Sequence, residues 1–220
     1  MQHELEVLTT PDAVAAAAAD IVVQRSRAAI TDHERFTFAV SGGHTPWAMF
    51  AELTTRDLQW ERIVIFQVDE RVAPDGDPAR NLTHLRASLG RAPAEVVPMP
   101  VTDPDLDASA DRYAGLLPHR FDLIHLGLGP DGHTASLVPD DPVLKVTDHL
   151  VAVTGDYQGH PRMTLTYPAL ARADQLLWLV TGAEKQPALA KVLAGDESIP
   201  AGRVEARESL IVADRGASGS

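Results

Sequence analysis

The stretch that most constrains this chain is residues 121–139, Phe-Asp-Leu-Ile-His-Leu-Gly-Leu-Gly-Pro-Asp-Gly-His-Thr-Ala-Ser-Leu-Val-Pro. The run 123–128 is apolar except for His125 and reads as a strand. Gly127, Gly129 and Gly132 then leave the backbone free to turn sharply or to approach a ligand. A short helical or turn segment follows. In an open α/β sheet, ligands lie beyond the carboxyl ends of the strands. Asp131 and His133 fall at that position, so the rest of the chain is read for groups delivered to the same point.

Three further strands end in polar connections. Residues 36–40 form a short apolar strand running into Ser41-Gly42-Gly43-His44-Thr45-Pro46, with a helix expected over 47–53. A strand, a glycine turn, hydroxyls and a helix start together suggest an anion cradle, because backbone N–H groups converge there in a favourable field. Taken alone, such a turn is more often only a turn, and it lacks the Gly-Lys-Ser/Thr ending of a Walker loop. Residues 60–68 are a nearly continuous apolar strand that delivers Asp69, Glu70 and Arg71, either a solvated loop or part of a site. Residues 175–180 are a core strand followed by Thr181-Gly182-Ala183-Glu184-Lys185 and a helix to 193.

The remaining chain alternates in the same manner. Thr10 is a helix N-cap candidate with Pro11 at the first helical position, and the Ala-rich run 12–30 should be helix by propensity. Helices are also expected over 81–89 and 107–117, and strands at 5–8, 149–153 and 210–212. This alternation predicts a three-layer, Rossmann-like α/β fold: an open, largely parallel sheet with helices on both faces. No repeat or linker divides the 220 residues. The expectation is one domain over 1–215 and a flexible tail at 216–220.

Composition excludes several classes of function. The net charge of −12, from 31 acidic and 19 basic residues, argues against a nucleic-acid binder or an anionic-membrane binder. There is no Cys, hence no disulfide, no Cys-based zinc site and no cysteine nucleophile. Neither a secretory leader nor an 18-residue apolar run is present, so a soluble, cytoplasmic chain is expected. No metal-ligand spacing such as His-Glu-x-x-His appears, and Gly127-x-Gly129 falls short of a dinucleotide fingerprint. Neither a metal nor a cofactor is expected.

The candidate groups are suited to a phosphate and a proton transfer. Ser41, Gly42, Gly43, Thr45, Arg162 and Lys185 together offer directional donors and positive charge. On residue type alone, Arg162 and Lys185 are equally well surface residues. His133 can exchange a proton near neutral pH, or it can be an ordinary hydrogen-bonded loop residue. His125, within its strand, reads as a core residue.

The ordered set of motifs resembles the 6-phosphogluconolactonases, within the wider glucosamine-6-phosphate isomerase/deaminase-like group. The resemblance is carried by Ser41 to Pro46, by Asp69-Glu70-Arg71-Val72-Ala73-Pro74 with Asn81, by Gly127 to Pro139, by Pro161 to Thr166, and by Gly182 to Lys185. The deaminase branch typically has Asp-Gly-His-Ile-Ala-Phe-Asn-Glu-Pro in the central motif. Here Thr134 to Val138 precede Pro139, and the acidic residue is missing. Val138 stands where Phe is common, a packing variation. Arg80 stands where Ser is common, a change that bears on the acidic loop or the phosphate environment.

The resemblance implies hydrolysis of 6-phospho-D-glucono-1,5-lactone in the oxidative pentose phosphate pathway. His133 would be the general base, with Asp131 or Asp69 supporting it. Ser41, Gly42, Gly43, Thr45, Arg162 and Lys185 would hold the phosphate, and Glu70, Arg71 and Asn81 would lie on the substrate side. Backbone N–H groups at the glycine bend are candidates for the oxyanion. A sugar phosphate is the expected partner, with no nucleic acid and no membrane, and the chain is expected to be a monomer or weak homodimer. The alternatives are an isomerase/deaminase-like enzyme or a non-catalytic sugar-phosphate sensor. Ser136 is not in a Gly-x-Ser-x-Gly elbow and is not read as a nucleophile.

Overall fold

The computed structural model describes residues 2–219. The strands are β1 (Glu4–Leu8), β2 (Phe36–Val40), β3 (Ile63–Gln67), β4 (Asp69–Arg71), β5 (Glu95–Val97), β6 (Phe121–Gly127), β7 (Val151–Val153), β8 (Arg162–Leu165), β9 (Ala173–Val180) and β10 (Glu208–Asp214). The helices are α1 (Pro11–His33), α2 (His44–Leu53), α3 (Asn81–Leu89), α4 (Leu106–Ala114), α5 (Tyr167–Leu170), α6 (Gln186–Leu193) and α7 (Arg215–Ser218). Seven strands form one parallel sheet in the order β1-β10-β9-β6-β2-β3-β5.

The apolar runs of the central strands are long because both faces of the sheet are covered. Along β2, Phe36, Phe38 and Val40 face one apolar cluster, and Ala39 faces the other. In β9, Leu177 and Leu179 join the first cluster, while Leu176, Trp178 and Val180 join the second. Helices α1, α2 and α3 cover the first face, and α4 and α6 cover the second. Helix α1 starts as expected, with Thr10 Oγ1 accepting from the Ala13 N–H at 3.2 Å and Pro11 in the first turn. Its buried residues Val14, Ala15, Ala18, Ala19, Val22, Ser26 and Ala29 follow the helical period. Small side chains along that stripe let the helix lie close to the sheet.

Helix α2 begins at His44, three residues earlier than the sequence suggests, and its N-cap Gly43 has φ 137°. A second, antiparallel sheet, β4-β8-β7, is an addition to the expected layers. It pairs Asp69 with Thr164, Glu70 with Met163 and Arg71 with Arg162. Residues 216–218, expected to fray, instead complete α7. Asp214 caps this helix through the Ala217 N–H at 2.8 Å, and Ala217 is buried. Ser220 lies outside the described residues. Among the described residues, no helix is long and apolar enough to cross a membrane.

The sheet order locates the site. From β2 the chain moves outward to β3 and β5, then returns to place β6 on the other side of β2. The connections after β2 and β6 therefore diverge and leave a crevice between them. The connections after β3 and β9 flank it.

Candidate active site

A cleft of about 550 Å³ opens at that crevice. Ser41, Gly42, Gly43, Thr45, Asp69, Arg71, Asn81, His133, Arg162 and Lys185 all line it. Four strand ends and the small sheet thus bring together residues spread over most of the chain. Asp131 stands beside His133, and Glu70 is fully buried away from the cleft.

The bend after β6 is built around the His133 ring. The Gly129 N–H donates to the His133 carbonyl at 2.8 Å, and the Gly132 N–H to the Gly129 carbonyl at 3.0 Å. A Cβ on Gly129 would collide with the His133 ring, so glycine is needed there. The His133 N–H reaches Asp131 Oδ1 at 3.1 Å, and His133 Nδ1 lies 2.6 Å from the same oxygen. Asp131 is an acceptor only, so Nδ1 carries the proton and Nε2 is the basic nitrogen. Burial pushes the Asp131 carboxyl up, but the His133 N–H, the imidazole and the Tyr157 hydroxyl outweigh it and hold the group below its usual range. The N–H groups of Gly129, Gly132 and His133 are all engaged inside the bend. The oxyanion role expected of the bend therefore does not fall to these three.

The carboxylates of β4 have separate fates. Asp69 Oδ2 accepts from Ser136 Oγ at 2.6 Å, and the Asp69 carbonyl accepts from Asn81 Nδ2 at 3.1 Å. Burial raises the Asp69 carboxyl above its usual range. The Ser136 bond and the charges of Arg162 and Arg71 oppose the rise, and Glu70 adds to it. Ser136, fully buried, has its hydroxyl committed as a donor to Asp69.

Glu70 does not face a substrate. One of its oxygens accepts from the N–H groups of Arg71 at 2.8 Å and Asn81 at 2.7 Å; the other accepts from the Leu82 N–H at 2.9 Å and Gln67 Nε2 at 2.8 Å. Arg80 Nε lies 3.0 Å from that second oxygen, and Arg80 Nη1 donates to the Ala73 carbonyl at 3.0 Å. The substrate-side assignment of Glu70 is thus corrected: it closes the free N-terminus of α3 and neutralises a buried arginine. The unusual Arg80 belongs to the acidic loop rather than to the phosphate environment.

The turn between β2 and α2 supplies hydrogen-bond donors at the cleft. Helix α2 has no side-chain cap, so the N–H groups of His44 and Thr45, two cleft-lining residues, lack a cap partner, while Pro46 has no N–H and the Trp47 N–H donates to the Gly43 carbonyl at 3.3 Å. A Cβ on Gly42 would strike the Asn81 amide, so this glycine is required by close packing. The Ser41 N–H donates to His125 Nδ1 at 3.3 Å, while the buried Ser41 Oγ has no protein partner. Thr45 Oγ1 meets Thr181 Oγ1 at 2.9 Å, joining the start of α2 to the end of β9.

Arg71 is steadied by the Ala79 carbonyl at 2.7 Å. Arg162 Nη2 donates to the Tyr157 carbonyl at 3.2 Å, and the buried Arg162 Nε has no protein partner. Burial lowers the proton affinity of Arg162, an effect Asp69 opposes and Arg71 adds to. Lys185 is partly exposed, with Glu184 Oε1 3.9 Å from its Nζ. A chain of net charge −12 therefore still concentrates cations at this cleft.

Four cleft-region residues escaped the sequence reading. Trp47 and His84 stack at 6.0 Å on the cleft wall, but they lie on separate helices with no shared motif. Thr181 follows a strand as Ser41 does, a parallel visible in the sequence. Tyr157 reaches Asp131 and His133 from a loop whose path the sequence does not specify. His125 is fully buried, as expected of a core residue, and burial lowers it to about 3. Among the described residues, no group of three or more His, Asp or Glu side chains converges as metal ligands.

The family model described as Glucosamine-6-phosphate isomerases/6-phosphogluconolactonase matches residues 9–212. A 6-phosphogluconolactonase from a Nostoc species is 38% identical over 208 residues, covering 88% of this chain and 86% of its own length. One from a Synechocystis species is 35% identical over 229 residues, covering 96% and 95%. The crystal structure of a 6-phosphogluconolactonase from Shewanella baltica superposes with a TM-score of 0.88 at 25% identity, covering 97% of each chain. The chain belongs to the glucosamine-6-phosphate isomerase/6-phosphogluconolactonase family.

Proposed function

We propose that this chain hydrolyses 6-phospho-D-glucono-1,5-lactone to 6-phospho-D-gluconate. The observation that carries the reading is the 2.6 Å contact between His133 Nδ1 and Asp131. It leaves His133 Nε2 as a base at the wall of a cleft whose other groups suit a phosphate.

The uncapped start of α2, Ser41, Thr45, Arg162 and Lys185 bind the phosphate and hold the lactone in register, which lowers the entropic part of the barrier. His133 Nε2 removes a proton from water as its oxygen bonds to the lactone carbonyl carbon. Asp131 keeps the tautomer and stabilises the imidazolium. The tetrahedral intermediate collapses with cleavage of the bond from that carbon to the ring oxygen. The imidazolium returns its proton to the leaving oxygen, and the product acid ionises at neutral pH. Asp69 and Arg71 face the substrate, and Asn81 holds Asp69 and Gly42 in place. The relatives' names and the missing acidic residue of the deaminase motif support the lactonase branch.

The test is the initial rate of freshly generated lactone, measured with no protein, with native protein and with His133→Ala, in the presence of a chelator. The native rate is expected to exceed the spontaneous one, and His133→Ala should lose about a hundredfold or more while staying folded. Binding without turnover would replace the enzyme by a sensor. Ammonia release from glucosamine 6-phosphate would move the chain to the deaminase branch.

A further inference from the structure

Tyr157 lies in the loop before β8, outside every motif used to find the site. Its hydroxyl donates to Asp131 Oδ2 at 3.1 Å and lies 3.4 Å from His133 Nδ1. Its ring meets the His133 imidazole edge-on, with centroids 5.4 Å apart and planes at 66°. The same ring carries the Arg162 guanidinium, whose carbon is 4.9 Å from the ring centroid, and the Tyr157 carbonyl accepts from Arg162 Nη2 at 3.2 Å. The loop is closed upon itself by the Tyr157 N–H to His160 carbonyl bond at 3.0 Å and the Gly159 N–H to Asp156 Oδ1 bond at 3.0 Å. One side chain therefore touches both the His–Asp pair and a cation of the cradle.

We propose that Tyr157 is a positioning residue that couples the anion-binding Arg162 to the alignment of His133. Its hydroxyl occupies the second oxygen of Asp131, so that the first stays on His133 Nδ1–H. Its ring is a platform that fixes the Arg162 plane. The charged and titratable groups facing this ring are Asp131 and His133 from the bend and Arg162 from β8, with Asp156 of the loop acting on Arg162. Burial and the Asp131 charge push the Tyr157 phenol up, so it remains a donor at neutral pH. The kinetic part of this inference rests on the lactonase reading. The spectroscopic part does not.

Two variants separate the two contacts. Tyr157→Phe removes the hydroxyl and keeps the ring under Arg162; Tyr157→Leu removes both. In Tyr157→Phe, kcat for the lactone should fall about tenfold with KM unchanged, the loss expected for one bond to a charged group. Without the hydroxyl on its second oxygen, Asp131 no longer keeps the first one aimed at His133 Nδ1. The fraction of His133 with its proton on Nδ1, read at one fixed pH by imidazole nitrogen NMR and identified by its absence in His133→Gln, should fall below that of the native protein. In Tyr157→Leu, KM should also rise and inorganic phosphate should bind more weakly. A Tyr157→Phe protein with native kcat and an unchanged His133 tautomer overturns the proposal, whatever its Tm. Should native protein fail to hydrolyse the lactone, the lactonase reading falls, and the His133 tautomer still decides the role of Tyr157. Should Tyr157→Leu fail to fold, the Phe variant decides.

Discussion

Asp69 and Asp131 are two carboxylates of one site pushed in opposite directions. Asp131 is held low by charge-assisted hydrogen bonds that outweigh its burial, and Asp69 is held high by burial. Such divergence is the usual mark of divided labour in a catalytic pair. On this ground we propose that Asp131 is the permanent anion beside His133 and that Asp69 faces the substrate. The divergence also makes Asp69 a stability liability. Its folded-state proton affinity exceeds the unfolded one, so stability falls as pH rises from the ordinary carboxylate value through the raised one. Above that window the cost is fully present. Asp69→Asn should therefore unfold at a higher temperature than native protein at pH 8 while losing roughly tenfold or more in kcat/KM. Differential scanning calorimetry and lactone kinetics on the same preparation check both halves. A variant that is less stable at that pH contradicts the argument.

At the scale of elements, the small antiparallel sheet and the start of α3 hold the acidic loop. Pairing β4 with β8 sets Arg71 opposite Arg162. Like charges directly opposite are ordinarily unfavourable, and here both line the cleft, where an anion would relieve the repulsion. Glu70 is the post beneath this arrangement. It is fully buried and its two oxygens serve β4, the first N–H groups of α3, Gln67 and Arg80. Glu70→Ala would leave Arg80, 2% exposed, with only the solvent-exposed carboxylate of Asp75, 3.1 Å from its Nη1. The expected cost is about 3 to 5 kcal/mol, the range for breaking a buried ion pair from one side. Urea unfolding measures it, and a loss under 1 kcal/mol would show that Asp75 or solvent takes over the charge of Arg80.

At the scale of the whole molecule, β1 and β10 from opposite ends of the chain lie side by side in the sheet. We infer that residues 1–215 form one domain that unfolds as one unit. His125 sits at the centre of the sheet, fully buried, with Nε2 unpartnered. Burial lowers it from 6.5 to about 3. Between those values the unfolded chain binds a proton that the folded chain refuses, so stability is lost as pH falls from 6.5 toward 3. At pH 5 this one group accounts for about 2 kcal/mol, at 1.36 kcal/mol per pH unit. His125→Leu should therefore lose about 2 kcal/mol less than native protein between pH 7 and pH 5 in paired urea titrations. Equal losses would mean that His125 is protonated in the folded state. The variant also removes the acceptor for the Ser41 N–H, an effect that does not vary with pH over this range.

Much of the architecture is written locally. The continuous apolar runs of β3, β6 and β9 need two covered faces, the Ala-rich run needs to be helix, and the glycine turns after β2, β6 and β9 put polar groups at one edge of a parallel sheet. That is why Asp131, His133 and the Ser41–Thr45 loop could be named from their order in the chain. Helix α2 starts ahead of its apolar pattern, at a point where Gly43 and not a hydroxyl or carboxylate cap marks the boundary. What only the tertiary structure decided are the contacts between segments distant in sequence. Glu70 and Asp69 are adjacent in the chain, yet the strand alternation of β4 and the position of α3 send one into the interior and the other to the cleft. Tyr157 carries no motif and reaches Asp131 only because β8 pairs with β4 and carries the preceding loop across the bend. Local preferences settle which segments become strands and helices. The assignment of each polar side chain to site or scaffold depends on burial and partners, and those exist only once the sheet is assembled.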